Sequence, residues 1–206
     1  MIDLYFWDTD NGYKARHMME ESGLEYKIIP INLFEREQFD PKYLKINPHH
    51  KIPVIVDPDG PNGQQATLFE SGAILKYIGS KMENRLYPDD PMQQIEVDKW
   101  LFYGSAQFTT ISQQYGFFMI RSPEDIPEAK AHYDKIMRDM YRSVDGALSD
   151  REYIAGEFSV ADISMYSDTH IFGNDKWIGL SDYPNIKRWY NSISGRPAVK
   201  RAWGPF

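Results

Sequence analysis

The chain of 206 residues contains no cysteine. Disulfides, thiolate metal sites and a protein-borne thiol nucleophile are thereby excluded, so any thiol chemistry performed here needs a thiol brought by a ligand. The chain also lacks an uninterrupted apolar run of the ~18 residues that span a bilayer. Its first residues, MIDLYFWDTD, have neither the basic start nor the small-residue cleavage site of a secretory signal, which points to the cytoplasm and away from a membrane. Basic residues are outnumbered: 23 Lys and Arg against 30 Asp and Glu leave a formal net charge of −7. Such a surface repels nucleic acid and anionic lipid, and no local basic patch offsets it. The five histidines are scattered. His49 and His50 are adjacent and have no partner at metal-ligand spacing, so no metal is expected.

What the chain does contain is 42% hydrophobic and 15% aromatic residues, enough for a sizeable core or two modest ones. IDLYFW (2–7) suits a strand and DTDNG (8–12) a turn after it. Lys14 to Ser22 places Ala15, Met18 and Met19 at helical spacing, and Gly23 is set to end that helix in a left-handed cap. LEYKIIPIN then reads as a second strand, parallel to the first through the helical crossover, with Pro30 arguing for an edge position. PVIVD (53–57) and QATLFE (65–70), joined by the turn chemistry of DPDGPNGQ, read as an antiparallel pair. Ser71 opens a helix with Ile74, Leu75 and Ile78 inward.

This β-α-β, then β-β-α order fills about 80 residues, the size of a thioredoxin-like unit. The expected division is a first domain over 1–84, a linker over 85–91 (RLYPDDP) and an all-helical domain over 92–206. In the last, apolar positions recur through Trp100, Leu101, Ser105 and Phe108, through Tyr133, Ile136 and Met140, and through Ile186, Trp189, Tyr190 and Ile193. Ser159 and Asp162 form a capping box, read as structural.

NPHHKIPVIVD (47–57) raises a separate question. Proline lacks the amide that an interior strand needs, so Pro53 fits a strand start. A cis Ile52–Pro53 bond would turn the Ile52 amide and carbonyl outward as an edge for an extended peptide ligand, whereas a trans bond would make this an ordinary strand start.

INPHHKIPVIVD followed by TLFESGAILKYI resembles the proline-containing loop and Glu-Ser turn of the cytosolic glutathione transferases. FSVADISM is similar to their capping box and SGRPAV to their last helix ending, so the resemblance covers nearly the whole chain. MIDLYFWDTDNG together with NPHHKIPVIVD looks closest to the Nu class and its nitrogen-regulatory relatives, which reduce disulfides with glutathione. The resemblance implies a thioredoxin-like α/β domain followed by an all-α domain, glutathione as bound co-substrate, and a homodimer.

It also implies roles for particular residues. Glu70 suits the ammonium of the γ-glutamyl end and Ser71 its carboxylate. Lys51, with Gln38 as a second donor, suits the glycyl carboxylate. Ile52 and Pro53 offer backbone, and His50 is a loop histidine bonding either ligand or chain. Thr9 and Asn11 are the expected donors to the thiol sulfur, with Tyr5 as the runner-up. For Asn11 a role as N-cap or left-handed turn residue stays open beside the catalytic one. Phe102, Phe108, Phe117, Phe118 and Trp177 are aromatics of the kind that line an apolar pocket, most of them expected in the core, and Tyr103 and Tyr115 are the two expected beside the sulfur. Three readings follow: reduction of small disulfides, conjugation of aryl halides, epoxides or β-aryl ethers, and a non-catalytic glutathione-binding regulator.

Overall fold

Alternation dominates the first strand: Ile2, Leu4 and Phe6 are buried while Asp3 and Tyr5 are half-buried, giving β1 (Ile2–Phe6) two different faces. The computed structural model describes residues 1–82 and 86–206. The expected boundary between 84 and 85, and Arg85 at the head of the expected linker, lie outside the described residues. The described chain divides into two compact units, Met1–Tyr87 with Arg196–Phe206, and Pro88–Gly195.

In the first unit β1, β2 (Tyr26–Pro30), β3 (Val54–Asp57) and β4 (Ala66–Phe69) form one sheet in the order β2-β1-β3-β4. β2 is parallel to β1 and lies at the edge with Pro30, as expected, while β3 runs antiparallel to both neighbours. The crossover helix α1 (Asp10–Ser22) ends at Gly23 in the left-handed conformation, φ 67°. Its start differs from the expected one at Lys14. Thr9 is the N-cap, its hydroxyl accepting from the Gly12 amide at 3.0 Å, so Asp10, Asn11 and Gly12 form the first helical turn rather than a turn before it. Only glycine fits at 12, because a Cβ there would lie 2.2 Å from the Trp7 carbonyl oxygen.

The opposite face of the sheet packs Tyr5 and Val54 against Ile31 and Tyr43, the latter on the single-turn helix α2 (Pro41–Leu44). Helix α3 (Ser71–Lys81) follows β4 and packs on α1.

The last eleven residues also belong to this unit, although sequence pattern places them with the helical segment. Arg16 of α1 reaches 185 and more residues along the chain, donating to the carbonyls of Arg201, Gly204 and Pro205 at 3.2, 2.8 and 3.0 Å. Helix α9 (Pro197–Ala202) is fastened further by Arg196, whose guanidinium makes a forked pair with Glu21 at 2.6 and 2.9 Å. Burial raises the Glu21 carboxyl, but the Arg196 and His17 hydrogen bonds and charges outweigh it and hold the group at about 2. A depressed acid stabilises the fold above its ordinary pKa of 4.5 and loses that contribution as pH falls through 4.5 toward 2. Thermal melts of the wild type and Arg196→Met across that window are expected to converge: the variant starts about 2 kcal/mol less stable near neutral pH and has less to lose. Parallel curves would remove this pair from the acid response.

The second unit is helical: α4 (Pro91–Phe102), α5 (Thr109–Gly116), α6 (Pro127–Ala147), α7 (Val160–Phe172) and α8 (Pro184–Ser194), with π-helical stretches at Tyr103–Phe108 and Phe117–Arg121. Ile186, Trp189 and Ile193 are the buried stripe of α8, as read from the sequence. On α6 the stripe is Met137, Tyr141 and Val144, one position on from the expected Ile136 and Met140. The capping box is present: Ser159 accepts from the Ala161 amide, while Asp162 accepts from the Ser159 amide at 2.9 Å. Asp162 does more, accepting also from the Ile154 amide at 2.9 Å and the Trp189 indole at 2.8 Å. Among the described residues no helix is long and apolar enough to cross a membrane.

Candidate functional site

Strand register brings the site together. Val54 stands beside Tyr5 on one side and Phe69 on the other. Because β3 is antiparallel to both, the residues following β1 (Trp7 to Asn11), those preceding β3 (Lys51 to Pro53) and those following β4 (Glu70 and Ser71) emerge at the same end of the sheet. Three segments far apart in sequence, holding seven of the residues singled out above, are thus neighbours.

Asn11 is at the centre. Its Oδ1 accepts from the Ser71 hydroxyl at 3.0 Å and from the Lys14 ammonium at 3.2 Å. Lysine only donates, so this pairing assigns the oxygen to the Lys14 and Ser71 side and leaves the Asn11 Nδ2 group without a hydrogen-bond partner among the described residues. The alternative of a capping or left-handed role for Asn11 is not realised: it is helical, and Thr9 is the cap. The Thr9 hydroxyl has its acceptor side occupied by Gly12 and contacts the Trp7 carbonyl only at 3.5 Å, so its hydrogen is loosely held.

Ser71, buried at 8% exposure, is the first residue of α3 and does not cap it; its hydroxyl goes to Asn11. Glu70 precedes it at φ 70°, ψ 114°, a backbone conformation that costs a side-chain-bearing residue roughly 1–3 kcal/mol and collects at ligand sites. Its exposed carboxylate makes no hydrogen bond or ion pair with the described residues, and no side chain caps α3. An open helix N-terminus therefore stands beside a free carboxylate. The pair is chemically matched to the carboxylate and ammonium of an amino-acid head group.

The Ile52–Pro53 bond is cis. Nothing among the described residues bonds to the Ile52 amide or carbonyl. The preceding carbonyl, of Lys51, is held by the Tyr43 hydroxyl at 2.5 Å and the Asn47 amide at 2.9 Å, while the Lys51 side chain is exposed. His50 has φ 46° and lays its ring against Phe39 at 4.8 Å; His49 meets the edge of Phe69 at 5.3 Å. Gln38, on the 3-10 turn Glu37–Phe39, has a buried side-chain oxygen that accepts no hydrogen bond from the described residues. Tyr5 lies on the face of the sheet occupied by Tyr43 and Ile31, away from the face where Gly12 abuts Phe6.

The two tyrosines of the helical unit differ. Tyr103 is half-buried, edge-on to Trp100 at 5.5 Å, and burial pushes its hydroxyl up. Tyr115 does not stand open as a pocket wall: it is 1% exposed, packed edge-on to Phe172 at 5.7 Å and Trp177 at 6.4 Å, because it falls on the inward stripe of α5. Phe108 is likewise core at 1% exposure, whereas Phe102 and Phe117 are exposed.

Sequence reasoning missed Lys14, which is fully buried with its ammonium on Asn11. With the helix begun at Lys14, the i to i+3 relation to Asn11 that brings them together is invisible; reading Thr9 as the cap would have revealed it. Tyr43 and Asn47, which hold the Lys51 carbonyl, were also missed. Among the described residues no group of three or more His, Cys, Asp or Glu is arranged to hold a metal ion.

Comparisons with known proteins bear on the family and the fold. Residues 3–80 match the model for the glutathione S-transferase N-terminal domain and residues 106–197 that for its C-terminal domain. The chain is 34% identical to the disulfide-bond oxidoreductase YfcG of Escherichia coli (strain K12), covering 98% of this chain and 94% of that protein. A glutathione transferase from Burkholderia graminis, solved with two glutathione molecules bound per subunit, superimposes with a TM-score of 0.93 at 30% identity over 98% of this chain and 86% of that one. One from Pseudomonas putida, with a glutathione disulfide bound per subunit, gives 0.91 at 29% identity over 98% and 90%. With a thioredoxin-like α/β domain, a helical domain and both family models in register, the chain belongs to the glutathione S-transferase family.

Proposed function

We propose that this chain binds glutathione, stabilises its thiolate and uses it to reduce small disulfides. The observation that carries the reading is Asn11, whose oxygen is held by Lys14 and Ser71 while its Nδ2 hydrogens have no partner among the described residues and are open to a thiolate. A free thiol of pKa ~8.5 is only about 3% ionised at neutral pH, and lowering it by ~2 units raises the thiolate more than tenfold. The Asn11 amide, the loosely held Thr9 hydrogen, the N-terminus of α1 and the buried Lys14 charge all favour the anion.

The γ-glutamyl end sits at α3, ammonium on Glu70 and carboxylate on the Ser71 amide and its neighbours; the backbone of Ile52 beside Pro53 pairs with the cysteinyl residue; Lys51, Gln38 and His50 meet the glycyl end. The thiolate attacks one sulfur of the substrate disulfide, forming a mixed disulfide and expelling the other half as thiolate. A second glutathione attacks the glutathionyl sulfur, so two glutathiones supply the two electrons and leave as glutathione disulfide. The names of the relatives support this scheme: one is called a disulfide-bond oxidoreductase, and others were solved with two glutathiones or with glutathione disulfide. The same reading takes the protein as a Nu-class homodimer working in the cytoplasm.

Calorimetric titration with glutathione tests the placement. Glu70→Ala is expected to weaken binding by 1.5–3 kcal/mol, roughly 10- to 150-fold, through loss of a charge-assisted hydrogen bond, whereas Ser71→Ala, which keeps the backbone amide and loses only the hydroxyl held by Asn11, is expected to weaken it less. Unchanged affinity in Glu70→Ala would take the γ-glutamyl ammonium away from α3.

A further inference from the structure

The far face of the sheet carries a cavity of about 280 Å³ that the glutathione reading leaves unused. Its floor is apolar and aromatic: Tyr5 from β1, Ile31 just past β2, and Tyr43 and Ile46, with the two tyrosine rings 5.7 Å apart and tilted by 54°. Its rim is charged, with Glu37 and Asp40 beside Lys42. These three charges do not neutralise one another. Glu37 uses one oxygen, Oε2, to accept from the Asn32 amide at 2.7 Å, and Asp40 uses Oδ1 to accept from the Lys42 amide at 2.7 Å; the second oxygen of each is unengaged among the described residues. The Lys42 ammonium makes no ion pair with any described residue. The Tyr5 hydroxyl likewise has no hydrogen-bond partner there, although burial raises its pKa, with the Asp3 charge adding to it and Lys27 opposing.

Acid and cation that share a rim yet leave each other alone, above an aromatic floor, form a complementary pair of sockets for a molecule carrying both charges. We infer that this cavity is a second binding site, for a zwitterion of amino-acid size with an apolar side chain. The ammonium meets Glu37 and Asp40, with the Tyr5 and Tyr43 rings nearby as further attraction for a cation; the carboxylate meets Lys42; the side chain covers Ile31 and Ile46. The Tyr43 hydroxyl donates to the Lys51 carbonyl, so the wall of this site is bonded to the loop before Pro53. The site does not depend on what binds at Glu70 and Ser71.

The test is titration of the ¹⁵N-labelled full chain with L-phenylalanine, with phenethylamine, which keeps only the ammonium, and with 3-phenylpropanoate, which keeps only the carboxylate. L-Phenylalanine is expected to shift the amides of Tyr5, Tyr43 and Ile46 and, through Tyr43, those of Lys51 and Ile52, and to bind about three- to fivefold more tightly than either single-charge analogue. Lys42→Ala, a surface change that leaves the fold alone, is expected to weaken L-phenylalanine and 3-phenylpropanoate by about the same factor and leave phenethylamine unchanged. Ile46→Trp, which fills the cavity, should abolish the shifts for all three. The inference is overturned by shifts that fall only elsewhere in the chain, by no shifts at all, or by a Lys42→Ala variant that binds the three compounds as the wild type does.

Discussion

Replacing Asn11 with aspartate is expected to lower kcat for glutathione-dependent disulfide reduction by about 10- to 150-fold while changing glutathione affinity less than threefold. Aspartate has the same shape and keeps an oxygen for the Ser71 hydroxyl and the Lys14 ammonium, so the local packing and both hydrogen bonds survive. What it loses is the Nδ2 group, a donor worth roughly 1.5–3 kcal/mol to an anion, and what it adds is a negative charge facing the thiolate. An interaction made chiefly with the reacting anion appears in kcat rather than in affinity. Asn11→Ala should act in the same direction but also release Lys14 and Ser71, which makes aspartate the cleaner probe. Thr9→Ala should cost turnover less. Its oxygen caps α1, so its main effect is about 1 kcal/mol of stability. If Asn11→Asp kept full turnover while Tyr5→Phe lost it, the thiol-activating group would be a tyrosine on the other face of the sheet.

The largest expected effect on stability lies in the helical unit. Asp162→Ala strands the Ile154 and Ser159 amides and the Trp189 indole, three buried donors that the carboxylate now satisfies. At roughly 1–3 kcal/mol for each unsatisfied group, partly relieved by relaxation, the loss is on the order of 3–5 kcal/mol by chemical denaturation. A loss below about 1 kcal/mol would mean that other acceptors replace the carboxylate. The same residue predicts a pH response. Burial raises the Asp162 carboxyl from 3.8 to about 6, against the lowering effect of its four hydrogen bonds. A raised acid contributes stability that is complete below its unfolded value near 3.8 and is lost as pH rises through about 6. Stability is therefore expected to fall between pH 4 and 6.5 in the wild type, and to fall less in Asp162→Asn. This window lies above the one in which the Glu21–Arg196 pair fails.

Local signals made much of this fold legible. Alternation in IDLYF, the glycine at 23 and the proline at 30 each act within a few residues, and each assigns its element correctly. The phase of α6 was not legible because apolar residues come in adjacent pairs, Ile136–Met137 and Met140–Tyr141; only packing chooses Met137 and Tyr141. The place of residues 196–206 depends on Arg16 and Glu21, more than 170 positions away, and no local pattern carries that. In the site, the residue types of Glu70, Ser71 and Asn11 pointed to the chemistry proposed for them, and the sheet brings the three together. Lys14 did not, since a lysine inside a helix normally reads as solvated, and here it is buried against an asparagine. Tyr115 misled for the opposite reason: a polar tip on an aromatic ring suggests a pocket, yet its place on the inward stripe of α5 decides for the core.

Without a cysteine in the chain, the central claim is that glutathione supplies the only reacting thiol. The most direct measurement is the steady-state rate of glutathione oxidation with bis(2-hydroxyethyl) disulfide, taken on protein treated with iodoacetamide and then freed of reagent. The account predicts a rate well above the uncatalysed exchange, saturable in glutathione and equal to that of untreated protein. A rate no faster than the uncatalysed one, or one abolished by the alkylation, would contradict it.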